Sequence, residues 1–467
     1  MPATVRDPTM PARKTRRFDP QFDSPPDHYA PMPRLSKLHG LWAATFVIAV
    51  ASDVLSGAIR YYTSLAGVAA LGYLPKALMV ACLGLAIVQR PKASHVLVAA
   101  YLAAQTCVSL ANGVSLSAVG FWIWTIAPML FAIAMPPQAL DALESPRMLG
   151  AFVALALLCI GGVLLNYFVK LPWVGGSVDI GGVSVQLAKS SYVGTSSRLP
   201  GFGRSSATTG LMIGLLTTWI FPRLRSRLAL AALLALAAAG IWATTNKTTL
   251  VALALVVALH CLLRTPSLRT VCIWTSAVTI ALPIAGWIVT LASTQDVGSS
   301  GSLSSMQDRF INTWPLLIEG LLREHLIWFG IGPGGFGSAV GYYTADFGFN
   351  VGYADNMALY TVANFGLIGA ALIVAAFARL ILALPANDRP VWLMLCFLLV
   401  SGVTTDICET IGCLLFLGLT LRSINLHAPR RARRKRAHRV RAAAIRRGRD
   451  RAECALTPPR DAKETTI

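Results

Sequence analysis

Charged residues are scarce in this sequence. Asp, Glu, Lys and Arg make up only 13% of its 467 residues, whereas 55% of the residues are hydrophobic and the mean hydropathy is +0.60. A water-soluble domain cannot bury that much apolar surface, so the composition excludes a purely soluble protein. It predicts an all-α polytopic membrane protein.

Acidic residues are scarcer than basic ones, and the imbalance lies mainly at the two ends of the chain. The net charge is +20, and residues 1–37 and 422–467 supply 14 of that excess. Lys and Arg near membrane spans mark the cytoplasmic side and bind anionic headgroups. We interpret 1–37 as a disordered cytoplasmic tail, not a signal peptide, because no apolar segment closely follows its charges. Residues 423–467 form a second, basic disordered tail, whose tract 430–451 favours binding to membrane lipids over RNA or protein docking.

Metal-binding motifs are missing. None of the nine cysteines belongs to a Cys-x-x-Cys pair, and eight of them lie in or at the edge of apolar runs, where cysteine is usually a small core residue. The sequence predicts no disulfide framework, no metal and no cofactor. The eight are Cys82, Cys107, Cys159, Cys261, Cys272, Cys396, Cys408 and Cys413.

Apolar runs near the length of a membrane span recur along the chain. A helix needs about 17–25 residues to cross the hydrocarbon core. Lys and Arg in alternate short loops predict that both chain ends are cytoplasmic. Residues 38–422 then form a membrane domain with two long loops outside, about 169–204 and 293–358, which in a bacterial inner membrane face the periplasm. The twelve predicted spans are about 38–60, 68–89, 94–111, 115–136, 148–168, 205–222, 228–244, 247–263, 270–292, 359–383, 391–405 and 408–422.

The two long loops are predicted to lie outside, where Lys and Arg are disfavoured. Basic residues in these loops are therefore candidates for a functional site. Arg198 and Arg204 stand at the mouth of the sixth span, and Arg309 is followed by Arg323 and His325 in the second loop. A guanidinium offers paired donors that suit phosphate oxygens, so several of them could form a diphosphate site. The alternative for each is a lipid headgroup or a local ion pair.

The glycine run Gly330–Gly337 does not fit a nucleotide loop, which needs a preceding strand, a following helix and cytosolic nucleotide. It predicts a tight turn that either offers amide N–H groups to an anion or folds the loop back on the bundle. Asp355 and Asn356 follow, directly before the tenth span. The carboxylate could accept a proton from a sugar hydroxyl, or these residues could cap the helix.

Five further ionisable residues lie in or beside predicted spans. Asp53 and Lys76 have similar depths in the first two spans, and we expect a salt bridge that lines a cavity. Lys247 at the end of a span is a further cationic candidate. Asp406 and Glu409 are interpreted as part of a solvated hairpin.

Six short motifs follow one another between about residues 190 and 370. They are Arg198-Leu-Pro-Gly-Phe202, Thr244-Thr-Asn-Lys247, Arg309 with Trp314, Gly330-Ile-Gly-Pro-Gly334, Asp355-Asn356 and Asn364-Phe-Gly-Leu-Ile-Gly369. Their order and sidedness resemble those of the O-antigen ligase and Wzy-type polysaccharide polymerase superfamily. Outside that stretch the similarity is one of hydropathy alone.

This resemblance implies a metal-independent membrane glycosyltransferase of the GT-C-like type, which uses undecaprenyl-diphosphate-linked oligosaccharide at the periplasmic face. A chain-length regulator or the export machinery would be its partner, and nucleic acid would not. Arg198 and Arg309 would hold the diphosphate and stabilise it as a leaving group. The predicted catalytic residues are Arg309 and Asp355. The predicted substrate-binding residues are Arg198, Arg204, Lys247, Arg323, His325 and Asn356.

Two departures from the superfamily's pattern bear on the reaction. Asp355 stands where ligases commonly have His, and Asn246-Lys247 stands where many members have Ser-Arg. The first departure favours a polymerase of repeat units over a ligase that transfers finished glycan to lipid A-core. A non-enzymatic glycolipid or solute transporter is disfavoured by the long loops and the lack of inverted repeats.

Overall fold

The computed structural model describes residues 35–89, 91–180, 183–193, 196–292, 304–349, 351–383 and 388–423. Nearly all of the two predicted tails, 1–37 and 423–467, lies outside the described residues, including the basic tract 430–451.

Each of the twelve predicted spans coincides with a helix or a broken helix. The bounds are α1 Leu35–Val54, α2 Ser56–Leu65, α3 Leu74–Gln89 after a 3-10 turn Ala69–Tyr73, α4 Ala93–Ala111, α5 Leu116–Ala134, a short α6 Pro137–Leu143, α7 Pro146–Phe168, α8 Ser206–Ile220, α9 Arg227–Ala243, α10 Lys247–Leu262, α11 Thr265–Ala292, α12 Ser304–Asp308, α13 Trp314–Arg323, α14 Met357–Ala383, α15 Arg389–Gly402 and α16 Ile411–Ser423.

Six helices of the described chain are long and apolar enough to cross a membrane, and α1 with α2 makes a seventh if that bent pair is one span. The remaining apolar helices, such as α9, α10, α15 and α16, are shorter. The protein is therefore an all-α polytopic membrane protein. The count of twelve crossings and the sidedness of the loops stay predictions.

A sharp bend interrupts the first predicted span. The axes of α1 and α2 differ by 85°, and the backbone N–H groups of Gly57 and Ala58, at the start of α2, donate to the carbonyl oxygen of Phe202. A Cβ at Gly57 would lie 2.5 Å from the carbonyl oxygen of Gly203, so only glycine permits this approach. The bend places Asp53 just before the turn and Arg60 just after it.

Two antiparallel hairpins lie in the first long loop, where the sequence predicts no strands. Strand β1, Ser177–Ile180, pairs with β2, Val183–Gln186, and β3, Ser191–Val193, pairs with β4, Ser196–Arg198. The second hairpin ends on Arg198 and thereby fixes the backbone of that residue.

Helix α8 lies at the centre of the bundle. Thirteen of its 15 residues are buried, and it contacts α7, α9, α10 and α15. Aromatic side chains fill the core beside it, with Phe46 packed edge-on against Phe152 and Phe416. The Ser205 hydroxyl accepts a hydrogen bond from the amide of Thr208 and caps the helix. This fixed helix start positions the preceding residue, Arg204.

Candidate functional site

Arg309 and Asp355 form an ion pair that joins two parts of the second long loop. Arg309 Nε and Nη2 lie 3.0 and 2.8 Å from Asp355 Oδ2, and the two side chains are 24% and 28% exposed. The other carboxylate oxygen, Oδ1, accepts no hydrogen bond from any described residue. Arg309 begins a single π-helical turn, Arg309–Thr313, which packs on α11 where Gly286 leaves room for the carbonyl oxygen of Phe310. Arg309 therefore fixes Oδ2 of Asp355 and leaves Oδ1 without a hydrogen bond from a described residue.

Asp355 is held by the residues on both sides of it. It has a positive φ of 48°, a conformation that Asp tolerates better than most residues. Trp314 is fully buried, and its Nε1 donates to the carbonyl oxygen of Ala354 at 2.6 Å. Asn356 accepts from the amide of Leu359 at 2.9 Å and so caps α14. The cap therefore belongs to Asn356 and leaves the Asp355 carboxylate free for the ion pair.

Asn356 has no side-chain atom left for a substrate. Besides the cap, its Nδ2 donates to the carbonyl oxygens of Thr279 and Val403, at 3.1 and 2.8 Å, and the residue is fully buried. It ties α11, α14 and α15 together beneath Asp355. The side chain of Asn356 therefore has structural partners in or beside three helices, although the sequence predicts a contact with substrate.

Arg198 completes this cluster from the first long loop. Burial first, and then the positive charge of Arg309, lower the pKa of Arg198, whereas Asp355 opposes that shift. Its Nε is buried, and its guanidinium has no acceptor among the described residues. We name Arg198, Arg309 and Asp355 the first cationic group. Its unused donors suit the oxygens of a phosphate.

Arg204 belongs to a different cluster from Arg198. It interacts electrostatically with Asp53, on which Lys76 and Arg60 also act, and its Nη2 lies 3.3 Å from the hydroxyl of Tyr342. We name Arg60, Lys76, Arg204 and Asp53 the second cationic group. Arg198 and Arg204 thus differ in their charged neighbours, and the prediction that they share one site stays a prediction.

Two hydrogen bonds hold the turn between Arg198 and Arg204. Trp173 Nε1 donates to the carbonyl oxygen of Gly201 at 2.8 Å, and the Thr209 hydroxyl donates to that of Pro200 at 2.7 Å. These bonds fasten the middle of the segment to the bundle. Arg198 and Arg204 consequently leave it in different surroundings.

The predicted salt bridge between Asp53 and Lys76 does not form. Both residues are described, and no nitrogen–oxygen distance of 4.0 Å or less joins them. Asp53 Oδ2 instead accepts from the backbone N–H of Gly412 at 2.8 Å, while Lys76 Nζ lies 5.9 Å from the ring centre of Trp124. The prediction is wrong because the start of α16 supplies a closer partner to the carboxylate than α3 does.

The prediction of a solvated hairpin at Asp406 and Glu409 is also wrong. Glu409 accepts from the backbone N–H of Ser338 at 2.7 and 2.9 Å and from the hydroxyl of Tyr360 at 3.3 Å. Asp406 Oδ1 accepts from the amide of Cys408 at 2.9 Å. Burial raises the pKa of both carboxyls, and the negative charge of Glu409 raises that of Asp406 further. Two carboxylates between apolar runs were the only sequence signal for this acidic pair.

The glycine run is buried backbone, not a surface turn. Gly332 and Gly334 have φ of +100° and +89°, and a Cβ on either would lie within 2.7 Å of backbone atoms of α4 or α5. Asn112 Nδ2 donates to the carbonyl oxygen of Gly330, and the amide of Ile331 donates to that of Ala363. The run therefore folds back on the bundle, and the amide just after it meets an anion that is internal, the Glu409 carboxylate.

Three further predicted substrate-binding residues have local surroundings of their own. Arg323 pairs with its neighbour Glu324 at 2.9 Å and is 64% exposed. His325 is exposed and has a φ of +58°. Lys247 is the exposed first residue of α10, which Asn246 caps. Their part in a substrate site stays a prediction.

A mainly apolar groove of about 560 Å³ runs between α11 and α15. Its lining includes Val278 and Val403. The carbonyl oxygens of Val403 and of Thr279, the residue after Val278, accept hydrogen bonds from Asn356. One part of the groove lining is therefore connected to Asn356, the residue after Asp355. Among the described residues, no three His, Cys, Asp or Glu side chains are grouped to hold a metal ion.

No protein-family model matches the sequence, and no curated protein is significantly similar to it. By its architecture the chain is a polytopic all-α membrane protein, and its ionisable residues group at helix ends and in loops.

Proposed function

We propose that the chain is a metal-independent glycosyltransferase that polymerises undecaprenyl-diphosphate-linked oligosaccharide repeat units into exopolysaccharide or O-antigen. The observation that carries the proposal is the first cationic group. In it, two guanidiniums with unused donors stand beside a carboxylate, Asp355, that has one open oxygen. A diphosphate ester needs such donors, and an attacking hydroxyl needs such an acceptor.

The proposed reaction joins two sugars and releases a lipid diphosphate. The oxygen of an acceptor hydroxyl bonds to the anomeric carbon of the donor sugar, and the bond from that carbon to the diphosphate oxygen breaks. The bonding electrons leave with the diphosphate, whose developing charge Arg198 and Arg309 stabilise. The hydroxyl proton passes to Oδ1 of Asp355, which Arg309 holds in place through Oδ2.

The apolar groove between α11 and α15 supports this assignment. A polyprenyl chain is apolar along its length and carries its diphosphate at one end. A groove that ends at Val278 and Val403 would lead that end to Asp355, because the carbonyl oxygens of Thr279 and Val403 hold the adjacent Asn356. The groove and the cationic group thus match the two halves of one substrate.

The proposal places twelve helices across the bacterial inner membrane, with both chain ends in the cytoplasm and the first cationic group at the periplasmic face. The coincidence of every predicted apolar span with a helix supports this topology, as does the distribution of Lys and Arg in the short loops. A chain-length regulator or the export machinery would then be reached from the tails or the periplasmic loops.

The test is to delete the gene in its host and to separate lipopolysaccharide and secreted polysaccharide on gels. We expect loss of high-molecular-weight glycan with single-repeat lipopolysaccharide remaining, or loss of secreted polymer with lipopolysaccharide intact. Accumulation of full-length glycan on the undecaprenyl carrier, with bare lipid A-core, would identify a ligase instead. Complementation with wild type and with Lys170→Gln, an exposed loop residue, should restore the polymer.

A further inference from the structure

A second groove, of about 600 Å³, takes no part in the proposed reaction. It lies where α7 and α15 begin and where the chain turns after α8. Helix α7 has the length and hydropathy of a membrane span, so its first turn lies near a membrane surface. The groove is therefore at the depth of lipid headgroups. Its lining residues are Glu144, Pro146, Leu149, Arg223, Arg225 and Pro390.

Arg223 forms a fixed wall of this groove. Its Nη1 donates to the carbonyl oxygen of Trp219 at 2.7 Å, and its Nη2 donates to Glu144 Oε1 at 2.9 Å. Its guanidinium carbon also lies 3.8 Å from the centre of the Trp219 ring, and its side chain is only 15% exposed. The charge of Arg223 is therefore engaged within the protein. Glu144 is 60% exposed, and its second oxygen, Oε2, accepts no hydrogen bond from a described residue.

Arg225 is the open cation of the groove. It is exposed, and it makes no ion pair or hydrogen bond with a described residue. A guanidinium with all its donors available suits a phosphate, and a carboxylate oxygen without a donor suits an ammonium. The groove thus presents one site for a negative group and one for a positive group, beside an apolar wall of Pro146, Leu149 and Pro390.

Charge complementarity decides which common phospholipid fits this pair of sites. The headgroup of phosphatidylglycerol is only negative, so it would meet Arg225 but be repelled by Glu144. Phosphatidylcholine carries both charges, but its trimethylammonium has no N–H to donate. Phosphatidylethanolamine carries a phosphate and an ammonium with three N–H donors, and it therefore matches both side chains.

We propose that this groove binds one molecule of phosphatidylethanolamine, with its phosphate on Arg225 and its ammonium on Glu144 Oε2. An acyl chain has a surface to follow along α7, where Leu149, Val153 and Leu157 recur at every fourth position and so share one face. Val153 is half-buried and Leu157 is 45% exposed. The inference does not depend on the proposed glycosyl transfer, because no residue of the first cationic group takes part.

Native mass spectrometry of the full chain in detergent, with one lipid added at a time, tests the site. We expect the wild type to retain one phosphatidylethanolamine in preference to phosphatidylglycerol or phosphatidylcholine by roughly two- to fivefold, the range for one exposed charge pair. Arg225→Gln should lower this retention, whereas Arg227→Gln, an exposed arginine at the start of α9 outside the lining, should not. Equal retention of the three lipids by the wild type, or equal losses in the two variants, overturns the proposal.

Glu144→Gln tests the contact with the ammonium. The substitution removes the carboxylate and releases Arg223 from its ion pair, so the preference should change from phosphatidylethanolamine to phosphatidylglycerol. A groove that was only loosened would bind both lipids more weakly and keep their order. An unchanged preference therefore contradicts the assigned role of Glu144 and overturns the site.

Thermal unfolding of the same preparations separates loss of binding from loss of the fold. Because a ligand stabilises the folded state that binds it, phosphatidylethanolamine should raise Tm of the wild type and of Arg227→Gln more than phosphatidylglycerol does. Arg225→Gln should unfold cooperatively with the same Tm as the wild type without lipid, and added phosphatidylethanolamine should raise its Tm less. An equal rise in Arg225→Gln and the wild type would refute the contact between Arg225 and the phosphate.

Discussion

The two cationic groups contain the same kinds of side chain but differ in how their carboxylate is held. In the first, Asp355 is closed onto Arg309 at 2.8 Å, which fixes the direction of both side chains. In the second, Asp53 is held by the backbone N–H of Gly412, while Arg60 and Arg204 donate to the carbonyl oxygen of Gln186 and the hydroxyl of Tyr342. The partner of a carboxylate thus decides which neighbouring cation it fixes in place.

The largest expected effect comes from breaking the first group. Arg309→Ala should lower the rate of transfer about 10²–10³-fold, because one donor to a developing negative charge is lost. Its effect on stability should be at most about 1 kcal/mol, since the ion pair is partly exposed. Transfer assays and thermal unfolding of the same preparation check both values. An Arg309→Ala protein that makes normal polymer removes this residue from the site.

A second substitution tests the packing of the buried glycine run. Gly332→Ala should destabilise the protein by roughly 2–3 kcal/mol, because its Cβ would meet backbone atoms of Ser109 and because φ is positive. The matched control is Gly341→Ala, where the nearest atom lies 3.6 Å from the added Cβ, and it should be near neutral. Denaturant unfolding in detergent compares them, and equal stabilities would show that the glycine run is not tightly packed.

A smaller effect concerns pH. The pKa of Asp406 is raised in the folded state by burial and then by Glu409, so the folded protein keeps a proton that the unfolded chain releases. Stability should therefore be full below about pH 4 and fall as pH rises through the folded-state pKa. Asp406→Asn mimics the protonated form and should flatten the decline of Tm as pH rises above about 4. Parallel Tm curves for the two proteins would contradict this assignment.

The smallest effect is expected outside both groups. Arg323→Ala removes an exposed cation that already pairs with Glu324, so transfer should change less than about twofold. A loss comparable to that of Arg309→Ala would mean that a third region takes part and that two groups do not describe the site.

Most of the helical scaffold could be predicted from the sequence, because apolar runs of span length report directly on burial in a bilayer or a core. The bend after Val54 could not, since it depends on Gly57 meeting the backbone of Phe202 and Gly203 far along the chain. Local composition around the bend remains that of an ordinary span.

Some features of the charged residues could likewise be predicted from the sequence, and others could not. Their residue types and loop positions singled out Arg309 and Asp355, which form an ion pair, and Arg198, which interacts electrostatically with both. The burial of Glu409 could not be foreseen, because its partner Ser338 lies 71 residues earlier and the flanking sequence shows only a polar turn. The different charged neighbours of Arg204 and Arg198 likewise depend on tertiary contacts.

The buried glycine run also constrains the order of biogenesis. Its contacts reach back 218 residues to Asn112, and the segment that follows it waits for Glu409. During synthesis α4 is therefore complete long before its covering segment exists, and it must remain in the bilayer with Ser109 and Asn112 lacking their partners. A chain that stops before residue 409 lacks the carboxylate that accepts from the backbone N–H of Ser338.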